Sequence, residues 1–169
     1  MSELEFSRPF DRRGITAEPV RLAATEAECA ALAERFLIPA VKRLEAVLDV
    51  IAEGEIVHAR GRMTADIVQT CAVSGDDLPT RIDEKITLRF VRPRTYQPDE
   101  EIELAEDELD EIEYEGTGFD LGEAVAQSLA LAIDPFAVGP DAERVRAEVL
   151  DAQEPSGPFA GLAALKKDS

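Results

Sequence analysis

Four sets of residues in this chain could do chemistry: a thiol with a hydroxyl three positions on, a lone imidazole, a row of cations and a run of carboxylates. Cys71-Ala-Val-Ser74 has the spacing of a C-x-x-C motif. A Ser hydroxyl cannot stand in for a thiolate zinc ligand, and Cys29 is the only other thiol. Nucleophilic catalysis by either cysteine would need a neighbouring base, and the single imidazole, His58, falls on the polar side of a predicted strand. His58 also has no second metal ligand close by in sequence. Gly54 and Gly61 are isolated, and Gly116-Thr-Gly118 precedes no Lys, so no phosphate-cradling glycine loop is present. We therefore expect no enzyme, no metal and no cofactor. The rival in that class, a small thiol-dependent enzyme using Cys71, requires a thiol pKa well below ~8.5.

The cations have a pattern. Arg81, Lys85 and Arg89 alternate with Ile82, Ile86, Leu88 and Phe90, which places them with Asp83 and Thr87 on the outer face of a strand. Arg92 and Arg94 carry the basic character past its end. This row reads either as a solvated sheet face or as an anion- or RNA-contacting stripe. No aromatic residue interleaves it, as stacking on single strands would require.

The carboxylates are concentrated. Thirteen acidic residues and no basic one lie between Thr95 and Glu123, whereas Met1–Arg94 holds sixteen acids and fourteen bases. The net charge of −18 is thus mostly one segment. Such a run repels itself, and a mobile acidic loop is expected over 97–115. Ile102, Leu104, Leu109, Ile112 and Tyr114 leave parts of it free to lie on the body. It lacks calcium-loop spacing. Its Asp99, Glu100, Glu101, Glu106, Asp107 and Glu108 suit a basic partner. Net acidity argues against nucleic-acid binding by the protein as a whole, so any RNA contact must be local.

The elements that position these groups follow from periodicity. At 169 residues and 45% apolar, the chain can bury a substantial aliphatic core. No apolar run approaches the ~20 residues needed to span a bilayer, and the start MSELEFSRPFDRR is no signal peptide. Two well-separated cysteines suit a reducing compartment, so a cytoplasmic location is expected, without a membrane or small-molecule substrate. Weak alternation over Glu3–Phe10 suggests an edge strand ended by Pro9, and Val20–Ala23 a second. Thr25-Glu-Ala-Glu28 is a capping box that opens a helix to about Leu37, with Pro39 as the stop. Leu44–Ile51 and the run from Glu55 alternate with period two around a Glu53-Gly54 turn. Gly61 inside the second of these implies a bulge or a close backbone approach. The chain reverses around Ser74–Asp77 into the basic strand. Asp120-Leu-Gly-Glu123 caps a second helix to about Ile133, with Leu121, Val125, Leu129 and Ala132 as its buried stripe. A shorter helix fits Asp141–Leu150. The tail, with Pro158, Phe159, Leu162 and Lys166, follows a linker and either caps the core or docks on a partner.

Taken in order, these pieces resemble the YceD family, the large ribosomal RNA subunit accumulation proteins, in the style of alphaproteobacterial members. The resemblance rests on Glu5-Phe-Ser-Arg8, Glu28, Ala31–Phe36, Gly61–Cys71, Pro79, Ile82-Asp-Glu84 and Leu88-Arg-Phe90. It continues through the acidic loop, Asp120–Glu123, Leu129–Pro135 and Pro158–Lys166. Members are commonly encoded beside a large-subunit ribosomal protein. The resemblance implies a non-enzymatic factor promoting accumulation or processing of large-subunit ribosomal RNA. It would act through basic strand residues on RNA (Arg81, Lys85, Arg89, Arg92, Arg94), or through the acidic loop and tail on a basic large-subunit ribosomal protein. A structural adaptor without an RNA role is the alternative. Many relatives carry C-x-x-C in the central turn and further cysteines near the last helix; here Cys71 alone remains, so a zinc site would not carry over. The expected fold is α+β: an antiparallel sheet, a meander or partly closed, of five or six strands with two principal helices packed on it. One domain over 1–152 would be followed by a semi-detached tail over 153–169.

Overall fold

The computed structural model describes residues 5–93 and 111–152. Arg94, the acidic Asp99, Glu100, Glu101, Glu106, Asp107 and Glu108, and the tail residues Pro158, Phe159, Leu162 and Lys166 lie outside the described residues. The strands are β1 (Pro9–Asp11), β2 (Val20–Ala23), β3 (Ala40–Glu53), β4 (Ile56–Thr70), β5 (Asp77–Val91), β6 (Glu111–Glu113) and β7 (Gly118–Asp120). The helices are α1 (Glu26–Phe36), α2 (Leu121–Ala132) and α3 (Ala142–Ala152). The fold is α+β. One sheet has the order β2-β3-β4-β5-β6, and β1 pairs with β7 in a separate two-stranded ladder.

Alternation carries most of this. Leu44, Ala46, Leu48 and Val50 of β3 and Val57, Ala59, Met63, Ala65 and Ile67 of β4 are buried, as are Ile82, Ile86, Leu88 and Phe90 of β5. β3 begins earlier than its alternation suggests, because the register with β4 slips between Val41 and Arg43 and shifts the phase of the first residues. The close approach expected at Gly61 is present: a Cβ there would sit 1.9 Å from the Val47 carbonyl oxygen. Pro9 opens β1 rather than ending an earlier strand, a position where its missing N–H costs no ladder bond. The sheet is not wholly antiparallel. Glu111–Glu113 of the acidic stretch runs parallel to Arg89–Val91, and Tyr114 beyond it is buried.

Both helices begin and end close to where expected, with their C-caps at Leu37 and Ile133. The Thr25 hydroxyl accepts from the Glu28 N–H while the Glu28 carboxylate accepts from the Thr25 N–H, a complete capping box. α1 stops at Phe36, before Pro39, because Leu37 turns left-handed at φ 55° and its N–H returns to Ala33 and Glu34. Asp120 caps α2 through the Glu123 N–H. The Glu123 carboxylate does not close a second box; it binds Arg35 at 2.8 and 2.9 Å.

The N-terminal segment ties these helices together. Arg8 grips Glu28 with two hydrogen bonds of 2.7 and 2.8 Å, and its own N–H and the Ser7 hydroxyl donate to Asp120. Arg35 reaches Glu5 at 3.0 Å. Phe6 is fully buried between these polar neighbours in sequence. Gly122 must lack a side chain, since a Cβ would lie 2.6 Å from the Phe6 carbonyl oxygen and 2.8 Å from the Arg8 nitrogen.

The chain divides into two compact units. The larger draws on Met1–Gln69 and Pro79–Asp134 and contains the sheet core, α1 and α2. The smaller draws on Thr70–Leu78 and Pro135–Ser169; in it the Ala72 N–H donates to Ala137 and Cys71 contacts Gly139.

Two consequences can be tested by denaturant unfolding. Gly122→Ala should destabilise the fold by about 1–3 kcal/mol, because backbone atoms must move to admit one carbon; a neutral result would contradict the packing. The Arg8 hydrogen bonds hold the Glu28 carboxyl at about 2. The stability this contributes is present above the ordinary glutamate pKa of ~4.3 and is lost as pH falls toward about 2. Glu28→Gln should flatten that acid limb, and an unchanged slope would remove the assignment.

Candidate nucleic-acid interface

The sheet has one face toward the helices and one toward solvent, and the cations of β4 and β5 meet on the second. Across the β3–β4 ladder Val47 opposes Arg62 and Asp49 opposes Arg60. Arg62 reaches over to β5 and binds Asp83 with two hydrogen bonds, 2.5 and 2.8 Å. Arg81, Lys85 and Thr87 of β5 are exposed beside them.

The five cations expected to form a stripe do not act as one set. Arg89 is half-buried and pairs at 2.5 Å with Glu111, whose side chain is only 12% exposed. Arg92 pairs with Glu55 at 3.2 Å and lies over the Tyr114 ring. These two hold β6 and its neighbours to the sheet. Arg94 lies outside the described residues. Arg81 and Lys85 remain, with no ion pair among the described residues.

Arg60 and Arg62 complete the face, and the basic-stripe reading passed over them. Their signal was in the sequence, since both fall on the polar side of β4 with His58. What alternation could not supply was that β4 and β5 are neighbours, so that two strands' cations share one surface. Arg43, on β3, is already engaged by Asp66 at 3.1 Å and Glu45 at 3.4 Å.

A shallow depression of about 490 Å³ lies among these residues, lined by Val47, Asp49, Arg60, Arg62, Lys85 and Thr87. It is a local excess of positive charge on a strongly acidic chain. Among the described residues no aromatic side chain lines it, so it suits backbone phosphates rather than unstacked bases.

The other candidate chemistries are structurally distinct. Among the described residues, the acid near the His58 ring is Glu53, at 3.6 Å. No group of three His, Cys, Asp or Glu residues suited to a metal occurs among the described residues. Cys29 is buried in α1, which pushes its thiol up. Cys71 is also buried, at 3% exposure, yet its thiol is held down at about 6. The cause is local: the Gly139 N–H at 3.2 Å and the Ser74 N–H at 3.4 Å converge on the sulfur. The Ser74 hydroxyl and Val73 N–H add to them. The low value is what a reactive thiol requires. No imidazole, amine or carboxylate hydrogen-bonds the sulfur among the described residues, and burial restricts access to it. The sulfur acts as the acceptor that fastens the Cys71–Asp76 turn to the loop before α3.

The model of the family described as large ribosomal RNA subunit accumulation protein YceD matches residues 59–166. That match begins in β4 and includes both β4 and β5 cations. No curated protein and no solved structure matches the chain. No helix among the described residues is long and apolar enough to cross a membrane.

Ultraviolet titration of the Cys71 thiolate in a Cys29→Ala background should give a midpoint near 6 in the folded protein and ~8.5 when unfolded. Stability linked to Cys71 should then grow as pH rises from about 6 and be complete above ~8.5. Equal midpoints in the two states would overturn the hydrogen-bonded thiolate.

Proposed function

Because the chain belongs to the YceD family, whose model covers more than half of it, we propose that it is a non-enzymatic, cytoplasmic factor that promotes large-subunit ribosomal RNA accumulation by direct contact with the RNA. The family description assigns the role in large-subunit RNA accumulation; the contact is our reading of the surface. The observation that carries it is the outer sheet face, where Arg60, Arg81 and Lys85 have no ion pair among the described residues although acids outnumber bases two to one in the chain. Cations left unpaired on such a chain are poised to exchange counterions for phosphates.

A second reading is favoured by the concentration of charge. The carboxylates from Asp99 to Asp110 could shield a basic large-subunit ribosomal protein before it meets RNA. Glu111 is already committed to Arg89 and Tyr114 to the core, so this reading rests on residues before them.

Sucrose-gradient sedimentation of lysates, with and without the protein, tests the role. Co-sedimentation with large-subunit precursors, and loss of large-subunit RNA on depletion, is the expected result. A protein confined to light fractions, with ribosomal RNA unchanged in its absence, would leave an adaptor without an RNA role.

A further inference from the structure

We propose that the depression on the outer sheet face is a phosphate-binding site, with Arg60, Arg62 and Lys85 as its cations and Thr87 as a hydroxyl donor. The inference rests on the RNA-contact reading above for the source of the phosphate, which would be the RNA backbone. The site differs from the linear β5 stripe because its residues come from two strands.

Three features make it a site rather than scattered surface charge. Arg60 and Arg62 are two residues apart on β4, so both side chains leave the same face of the sheet. Arg62 is fixed by Asp83: Nε and one Nη2 hydrogen are used, and the rest of the guanidinium fork stays available. Asp83 thus orients the donor without occupying it, and its carboxyl is held below the usual range by Arg62 and then Arg81. Lys85 and Arg60 have no ion-pair partner among the described residues, so an anion would displace only water from them.

The opposing charge is Asp49, which also lines the depression. With Asp83 spent on Arg62, Asp49 leaves the cluster positive. It also sets a limit: one phosphate at a time, held by one ammonium and two guanidiniums of which one is partly used by Asp83, is a weak site that gains strength from neighbouring contacts along a polymer. Arg81, one strand step from Asp83, is placed to take the adjacent phosphate.

The experiment uses the full-length protein, a large-subunit ribosomal RNA transcript, and inorganic pyrophosphate as a second probe. Arg60→Gln and Lys85→Gln should each weaken transcript binding several-fold and lower the slope of log affinity against log salt by about 1. Arg146→Gln, an exposed cation on α3 that does not line the depression, is the control and should change neither. Pyrophosphate should shift the NMR signals of Arg60, Arg62 and Lys85 and leave those of Arg146 in place. Equal losses for all three variants, or no loss at Arg60 and Lys85 while the transcript still binds, would overturn the site and leave RNA contact standing. Pyrophosphate shifts without transcript binding would uphold the site for a free anion and remove the RNA reading.

Discussion

The constraint on which the rest of this structure depends is the attachment of the segment Glu5–Arg8 to the starts of both helices. Asp120 does two things there: it caps α2 and it accepts from Ser7 and Arg8. Arg8 does the same for α1, since its partner Glu28 is the return half of the capping box. Each helix terminus is therefore satisfied by a group that also holds the N-terminal segment. The approach is close enough that Gly122 is required. These bonds are charge-assisted and partly shielded, which makes them stronger than neutral hydrogen bonds. Losing one partner would leave a partly shielded charge with fewer groups to compensate it.

That arrangement decides which face of the sheet is free. α1 and α2 contribute Leu32, Leu121, Val125 and Leu129 to the core, so the inward residues of β3, β4 and β5 are covered. The outward residues are left to solvent, and across the fold the arginines divide by what they touch. Arg8 and Arg35 are saturated by carboxylates and belong to the fold. Arg89 belongs to it as well, because an RNA phosphate that recruited it would take a cation away from Glu111, whose side chain is largely shielded from water. Arg60, Arg81 and Lys85 can be recruited without such a cost. Residue type alone does not separate these groups; the partner does.

Much of this fold was legible because local rules dominate it. The capping signals at Thr25 and Asp120, the period-two runs of β3 to β5 and the close approach at Gly61 are each written in a few neighbouring residues. What escaped was set by distant partners. The parallel attachment of β6 depends on Arg89 meeting Glu111, 22 residues on, and nothing in Glu111-Ile-Glu113 marks its direction. The bulge at Val41/Arg43 broke the phase that alternation relies on. Leu37 takes a left-handed cap that sequence rules would give to Gly, and it does so 91% exposed. At the candidate site, alternation assigned Arg81 and Lys85 to the right face and could not join them to Arg60 and Arg62. It also could not foresee that Arg89 and Arg92 would be consumed. The convergence of N–H groups on Cys71 likewise needs Gly139, which is 68 residues away.

The net charge of −18 and an RNA-facing site are compatible for a physical reason. At physiological ionic strength the Debye length is about 8 Å, so a phosphate at the outer face responds mainly to charges within two or three side-chain widths. Near the depression those charges sum to a positive one, Asp49 and Asp83 included; the concentrated acids influence it only as far as their carboxylates come within that range. At low salt their reach lengthens and opposes a polyanion, while the direct attraction of the cations strengthens. The two trends partly cancel. A protein built this way should show a shallower salt dependence than a uniformly basic binder with the same number of phosphate contacts. It would also resist coating by nonspecific nucleic acid, because away from a few unpaired cations its surface repels the polymer. Acidity of the chain then limits where RNA can sit rather than whether it binds.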